Sequence, residues 1–271
     1  ENIDSLIRKY GWDSNVVRVR VRGEFPNQED DVFIPLSLIE QCSSKLLELD
    51  DTDGMQFVSL GVDVARFGDD ETVIYRNFHG HCKIVRNRRG QNLMATVGDI
   101  VQEFKKIYRE HPTYEGKVYV QIDDTGLGGG VTDRLKEVRK EQKLYKMQII
   151  PINAAEKIET DTAAGKDAAE RYNNLTTAMW ASMRDLLDNK QIVIEDDEQT
   201  IGQLSSRKYT MASNGKLEIE PKKEMKKRGL DSPDRADALA LALYLGKIKK
   251  HTGSAPSVGT MKKLSKDNYW G

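Results

Sequence analysis

Four aspartates stand where a carboxylate is hard to explain by solvation. Asp63 lies inside the apolar run LGVDVA, and an acid buried in such a strand costs several kcal/mol unless it is paired or binds a cation. An ion pair with Arg66, or a cap on neighbouring backbone, would be the structural alternative. Asp123, followed directly by Asp124, ends the run KVYVQIDD (117–124). An acid after a strand also serves turns and helix N-caps, so this position alone decides nothing. Asp234 and Asp237 open the last apolar segment, where Ser232 reads as an N-cap and Pro233 as a first helical residue. Their i, i+3 spacing puts both carboxylates on one helical face. The helix dipole accounts for Asp234. Asp237 is expected past the first turn, among Ala236, Ala238 and Leu239, with a cation as its only evident compensation. Hard divalent cations held by oxygen ligands would explain all of these acids at once. With no His or Cys beside them, Mg²⁺ or Mn²⁺ fits better than zinc. The cluster His79-Gly80-His81-Cys82 has three metal-capable side chains, fewer than the four a structural zinc site needs.

The elements that must position these acids read as a mixed α/β pattern. FVSLGVDVA (57–65), ETVIYRNF (71–78) and CKIVRNRR (82–89) are three strands at hairpin spacing, with a tight turn at His79-Gly80-His81. MATVGDIVQEFKKIYREH (94–111) has a helical apolar face. KVYVQIDD is a buried strand, followed by the glycine loop 126–130 and the helix TDRLKEVRKEQ. That loop suggests a phosphate cradle but fails as a dinucleotide fingerprint, because Val131 holds the third glycine's place and no acid follows at the required distance. The glycines are expected instead to let backbone approach a strand or a phosphate closely. MQIIPINA (147–154) is a strand, residues 167–189 a long helix, and IVIEDD another strand. KYTMASNGKLEIEPKK is a hairpin turning at Asn214-Gly215, and the last helix runs from Ser232-Pro233 to about Lys250. Three consecutive antiparallel strands followed by alternating helices and strands predict a ribonuclease H-like mixed sheet with helices on both faces. Upstream, VVRVRVRG (16–23) alternates with a strand period, LSLIEQCSSKLLE (36–48) reads as a short amphipathic helix, and DDTDG (50–54) as a boundary.

Composition narrows the classes. The 271 residues are 38% hydrophobic and 31% charged, enough periodic apolar residues to bury a core. The stretch Ala236–Leu245 is far too short for a membrane span. Two cysteines, Cys42 and Cys82, exclude a disulfide scaffold. Forty-two Lys and Arg against 43 Asp and Glu leave a net charge of −1, so any nucleic-acid contact must come from local patches.

Three segments in order, GVDVARFGDD (61–70), IDDTGLG (122–128) and SPDRADAL (232–239), resemble the nuclease domain of the large terminase subunit of tailed bacteriophages. RYNNLTTAMWASMRDLL (171–187), QLSSRKYTMASNGKLEIEPKK (203–223) and the lead-in GEFP (23–26) are similar as well, so the resemblance spans roughly residues 20–247. It implies a ribonuclease H-like fold, two-metal cleavage of double-stranded phage DNA during genome packaging, and Mg²⁺ or Mn²⁺ as cofactor. By position it assigns Asp63, Asp123, Asp234 and Asp237 as catalytic metal ligands and Asp69 as an auxiliary acid. Adjacent Asp124 leaves the central ligand open, as does the choice between Asp234 and Asp237 for the primary one. The resemblance also implies an ATPase domain on the same full-length chain, portal and small terminase subunit as partners, and the host cytoplasm as location. No G-x-x-x-x-G-K-[ST] motif occurs, since Gly165-Lys166 is followed by Asp167; with a first residue of Glu, this points to an excised nuclease half. The expected division is 1–54 as a lead-in from the absent ATPase domain, partly packed on the core, 55–250 as the nuclease domain, and 251–271 as a flexible tail.

Lys222, Lys223, Lys226 and Lys227, with Arg207, Lys208 and Lys216 on the preceding hairpin, form the densest basic region. A charge run is commonly a solvated face, but its place just before the Asp234 helix favours contact with DNA, to which Arg66 is added. Trp180 reads as core. Rival readings are a Holliday-junction resolvase or transposase-like nuclease of the same fold, or a catalytically silent DNA-binding or portal-docking module.

Overall fold

The computed structural model describes residues 32–44, 57–65, 70–153, 156–160 and 163–244, with isolated positions 3, 7, 12, 17, 18, 21–24, 49 and 246. The boundary expected at 50–54, Arg66, Asp69 and the tail 251–271 lie outside the described residues.

Strand β1 (Val58–Asp63) is central to a six-stranded sheet of order β5-β4-β1-β2-β3-β6. It pairs antiparallel with β2 (Glu71–Phe78), which pairs antiparallel with β3 (His81–Arg89). On its other edge β1 runs parallel to β4 (Val118–Asp123), and β4 runs parallel to β5 (Met147–Ile152). A two-residue strand, β6 (Val193–Ile194), closes the far edge parallel to β3. The strands expected between residues 57 and 154 and their mixed pairing are present, the one expected at IVIEDD is cut to two residues, and the sheet is ribonuclease H-like.

Alternation along β1 divides the molecule into layers. Val58, Leu60 and Val62 enter one core with α2 (Leu93–Glu110) and α3 (Gly128–Glu141). Ser59, Gly61 and Asp63 face the opposite side. There α8 (Asp234–Leu243) packs across β1 and β2, with α5 (Leu175–Asp188) packed against it. The seat of α8 is built for close approach. A Cβ on Gly61 would lie 2.0 Å from the Ala238 carbonyl oxygen and 2.3 Å from the Ala242 nitrogen. The Ser59 hydroxyl donates to the Ala242 carbonyl at 2.5 Å, and the Gln121 amide donates to that of Leu241 at 2.6 Å. These bonds satisfy carbonyls that the end of a buried helix leaves open.

Four expectations change. Val17 and Arg18 are helical, and the Val17 carbonyl accepts from the Val21 and Arg22 amides at 2.9 and 3.0 Å, so the strand expected at 16–23 does not form there. A helical turn satisfies its backbone locally, whereas strand preference depends on a neighbour to pair with. The long helix expected over 167–189 is two helices, α4 (Ala163–Arg171) and α5. Between them Tyr172 bridges to Leu217, and the Asn174 side chain accepts from the Thr177 amide at 2.9 Å. Asn174 is therefore an N-cap rather than a helix interior residue. The last helix begins at Asp234, with Pro233 as its cap, and its first run ends at Leu243, where Tyr244 has extended backbone; Gly246 is helical again, and Lys250 lies outside the described residues. Two helices escaped the pattern: α6 (Glu198–Ser206), capped by the Asp197 carboxylate, and α7 (Lys222–Lys227).

The hairpin β7 (Tyr209–Met211) and β8 (Leu217–Ile219) forms a separate two-stranded sheet, with Gly215 at φ +76° in its turn. In the lead-in, α1 (Leu36–Gln41) and its flanks bring Phe33, Ile34, Leu36, Ile39 and Cys42 into the same core as Trp180. Among the described residues no helix is long and apolar enough to cross a membrane.

Candidate active site

Asp63 and Asp123 are the last residues of adjacent parallel strands, β1 and β4. Their register puts both at the carboxyl edge of the sheet, on the face that receives α8. Asp234 and Asp237 come down to the same edge on the first turn of α8. Asp237 therefore lies nearer the helix start than the sequence suggested, its amide donating to the Pro233 carbonyl at 2.8 Å.

Lys222 stands in the middle of these acids. Its Nζ is 3.0 Å from Asp237 Oδ2, 3.2 Å from Asp63 Oδ2 and 3.5 Å from Asp234 Oδ1. The Lys222 side chain is half-buried and borders a neighbouring cavity, with its ammonium among the carboxylates. Burial opposes charge on the amine, yet Asp63, Asp237 and Asp234 outweigh it and hold Lys222 well above its ordinary range. Burial pushes Asp63 up to about 8; Lys222 draws it down, and Asp234, Asp237 and Asp123 add to the rise. Burial likewise raises Asp234, against the pull of Lys222 and the Ser232 hydroxyl. Asp237 moves the other way. Its burial cost is exceeded by Lys222 and Arg207, and it stays below the usual carboxylate range. Asp237 is thus held below the ordinary carboxylate range while Asp63 and Asp234 are held above it, the pattern of several carboxylates sharing few cations.

Each acid has further partners. Asp234 Oδ2 accepts from the Glu71 amide at 2.7 Å, and its Oδ1 accepts from the Ser232 hydroxyl. Asp123 Oδ1 accepts from the Thr125 amide at 2.9 Å, a local turn bond. Asp124 points elsewhere, accepting from the Thr132 hydroxyl at 2.7 Å. Asp237 Oδ1 accepts from both Trp180 Nε1 and Arg207 Nη1. Gly128 lets α3 start hard against β4, because a Cβ there would fall 1.6 Å from the Asp123 carbonyl oxygen. This is the close backbone approach expected of the glycine run.

A cavity of about 440 Å³ opens beside the cluster, lined by Asp123, Asn174, Thr176, Arg207, Lys222 and Asp237 among others. On the other flank a hollow of about 310 Å³ is bordered by Asp70, Glu71, Arg89, Lys226 and Asp234.

The basic residues expected on one DNA-facing surface separate. Arg207 is 2% exposed and committed to Asp237, and Lys222 belongs to the acid cluster. Lys222, at the start of α7, turns its ammonium to the acids of β1 and α8, and Arg207, just after α6, is held by the Glu220 carbonyl and Asp237. Lys216 Nζ donates to the Ala169 carbonyl at 2.6 Å, and the Lys208 amide donates to Glu220 at 3.2 Å. Lys226 pairs with Asp70 and Lys227 with Glu224 on exposed faces of α7, where Lys223 is also exposed. At the other end of the sheet, Cys82 is buried and His81 exposed, and no three His, Cys, Asp or Glu among the described residues form a ready-made metal cage. The acid cluster is closed around an ammonium instead.

Sequence reasoning missed Arg235, which joins Asp197 at 2.9 Å and Glu71 at 3.1 Å. This pins the start of α8 to α6 and β2. It also read Trp180 as core only. No spacing in the chain signals either contact.

A parallel pair of strands and an antiparallel hairpin, crossed by a helix at the carboxyl edge of the pair, define a ribonuclease H-like fold. A search of solved structures narrows this. The chain is similar to the nuclease domain of the large terminase subunit of bacterial virus Sf6, with TM-score 0.59 and 18% identity, over 78% of this chain and 97% of that one. A point mutant of the Sf6 domain with manganese and beta-thujaplicinol matches with the same values, and one with calcium covers 98% of that chain at TM-score 0.59 and 18% identity. The chain has the fold of a phage large-terminase nuclease domain. No protein-family model matches it, and no curated protein does.

Proposed function

We propose that the chain is the metal-dependent DNA endonuclease part of a phage packaging terminase, with Asp63, Asp123, Asp234 and Asp237 as its catalytic acids. The observation that carries this reading is the convergence of three buried carboxylates from β1 and α8 on one cationic nitrogen, beside a solvent-open cavity. The donor set fits the implied ion. It is all oxygen, it holds more negative charge than Lys222 and Arg207 neutralise, and it already holds a positive charge at its centre. The Sf6 domains bound manganese or calcium, in keeping with this fit. Divalent cations held there would supply an activated water and neutralise charge on the departing 3′ oxygen.

The chain's own residues have definable parts. Asp63 and Asp123 present carboxylates from rigid strand ends, and α8 adds Asp234 and Asp237. Ser232 and the Glu71 amide hold Asp234 in place. Lys222 keeps the acids together until a cation replaces its ammonium. Asp69 would join as an auxiliary acid. Lys223, Lys226 and Lys227, exposed on α7, would meet the phosphates of double-stranded DNA, with Arg66, Lys208 and Lys216 as further contacts. The resolved product would be genome-length DNA cut from concatemers, with an ATPase domain on the same polypeptide and portal and small terminase subunit as partners in the host cytoplasm. The nuclease unit would span 55–250, between a lead-in at 1–54 and a tail at 251–271.

The ammonium at the cation's place is also what a catalytically silent DNA-binding module would show. Nicking of supercoiled plasmid with Mn²⁺ separates the two. The wild-type chain is expected to nick, and Asp63→Asn to abolish nicking while keeping a cooperative melt. A wild type that binds plasmid without cutting would establish the silent module.

A further inference from the structure

Asp237 differs from the other acids in how its two oxygens are used. Oδ1 accepts two strong hydrogen bonds, from Trp180 Nε1 at 2.7 Å and from Arg207 Nη1 at 2.8 Å. Oδ2 faces Lys222 Nζ at 3.0 Å, on the side of the cavity. The donors come from separate elements, α5 and the junction of α6 with β7, yet they meet one atom. They also hold each other. The Arg207 guanidinium lies 4.6 Å over the centroid of the Trp180 ring, and its Nε donates to the Glu220 carbonyl at 2.9 Å. The Arg207 carbonyl in turn accepts from the Phe33 amide at 2.9 Å. Trp180 is fully buried, and the Arg207 side chain is 3% exposed, against 40% for Lys222.

This contrast assigns the two cations different parts. Lys222 is a flexible point charge on a half-exposed side chain that lines the cavity, so a competing cation can displace it. Arg207 is a planar fork fixed at both ends and stacked on an indole, and it stays. We infer that Trp180 and Arg207 are positioning residues: together they saturate Oδ1 of Asp237, fix the carboxylate plane, and leave Oδ2 as the one oxygen Asp237 offers to the site. The inference rests on the nuclease reading above and adds to it two residues that touch neither DNA nor cation. Partners of this kind commonly set ligand orientation, and losing one typically costs 10–100-fold in metal affinity or activity.

The test uses the full chain with Trp180→Phe, Arg207→Met and Arg207→Lys. Mn²⁺ affinity is measured by calorimetry, plasmid nicking as separate kcat and KM, and the melting temperature in EDTA. Trp180→Phe keeps a ring beneath the guanidinium and loses only the N–H and the second ring. It is expected to melt cooperatively, to bind Mn²⁺ about 10-fold or more weakly, and to lose kcat by a similar factor with KM for DNA unchanged. Arg207→Met should show the same split, and Arg207→Lys should recover part of it. Combining Trp180→Phe with Arg207→Met should cost less than the product of the two, because both act on one oxygen. If Arg207→Met does not fold, Trp180→Phe and Arg207→Lys decide the matter. Folded variants with wild-type Mn²⁺ affinity and kcat would overturn the positioning role while leaving the nuclease reading intact. A raised KM with unchanged kcat would overturn it too, making Arg207 a DNA contact. A wild-type chain that neither binds Mn²⁺ nor nicks would overturn both readings together.

Discussion

Asp185, on the same helix as Trp180, shows what a partly buried carboxylate costs away from the acid cluster. Burial pushes it up to about 6, with Arg171 and Arg184 offsetting part of the rise and Asp188 adding to it. An acid raised in the folded state favours the unfolded chain once pH exceeds its unfolded value of about 3.9, and the loss is complete above the folded value. Asp185→Asn should therefore raise the melting temperature at pH 8 by roughly 2–4 °C, the shift about 1 kcal/mol gives in a chain of this size. The gain should fade as pH falls toward 4. A gain that is flat with pH would show that the carboxylate is not the source. Asp63 and Asp237 stood out in the sequence because apolar neighbours on strand and helix made their charge conspicuous, whereas Asp234 drew notice only through its i, i+3 spacing from Asp237. The indole and guanidinium on Asp237 were not, since they lie 57 and 30 residues away in sequence and no periodicity encodes a contact between separate elements. The same distance hid the place of Lys222, 159 residues from Asp63.

At the scale of elements, one glycine sets where two of the acids stand. Helix α8 lies so close to β1 that a Cβ at Gly61 would meet backbone atoms of Ala238 and Ala242. Backbone cannot swing aside as a side-chain end can, so α8 must shift as a body. Gly61→Ala is expected to cost about 1–3 kcal/mol or more by overpacking. It should also lower nicking severely, because Asp234 and Asp237 ride on the displaced turn. Urea melts and the plasmid assay check both, and wild-type stability with full activity would mean that α8 is not seated as described. The strands were readable because β2 and β3 follow β1 at hairpin spacing and β4 is a continuous apolar run. Helices were harder to bound. Asn174 looked like one polar residue in a long helix but is the cap that divides it, and α6 lacks a clear apolar period because residues on several of its faces, from Gln199 to Ser205, are buried.

Across the whole molecule, near-neutral charge hides a strong local imbalance. The chain carries −1 overall, yet acids from three elements crowd the carboxyl edge of the sheet while Lys223, Lys226 and Lys227 are exposed on the adjacent helix. Residues 32–44 of the lead-in pack into the same core, since Phe33 and Ile34 are buried with Trp180 and the Phe33 amide donates to the Arg207 carbonyl. The layered sheet brings carboxylates from β1, β4 and α8 to one edge around Lys222, and the proposed function requires that a divalent cation can take the place of its ammonium. An anomalous difference map from crystals soaked in MnCl₂ tests this most directly. It should show manganese against the carboxylate of Asp63 and Oδ2 of Asp237, with the Lys222 ammonium displaced from among them. Crystals saturated with Mn²⁺ that keep Lys222 among the three carboxylates, with no manganese there, would contradict it.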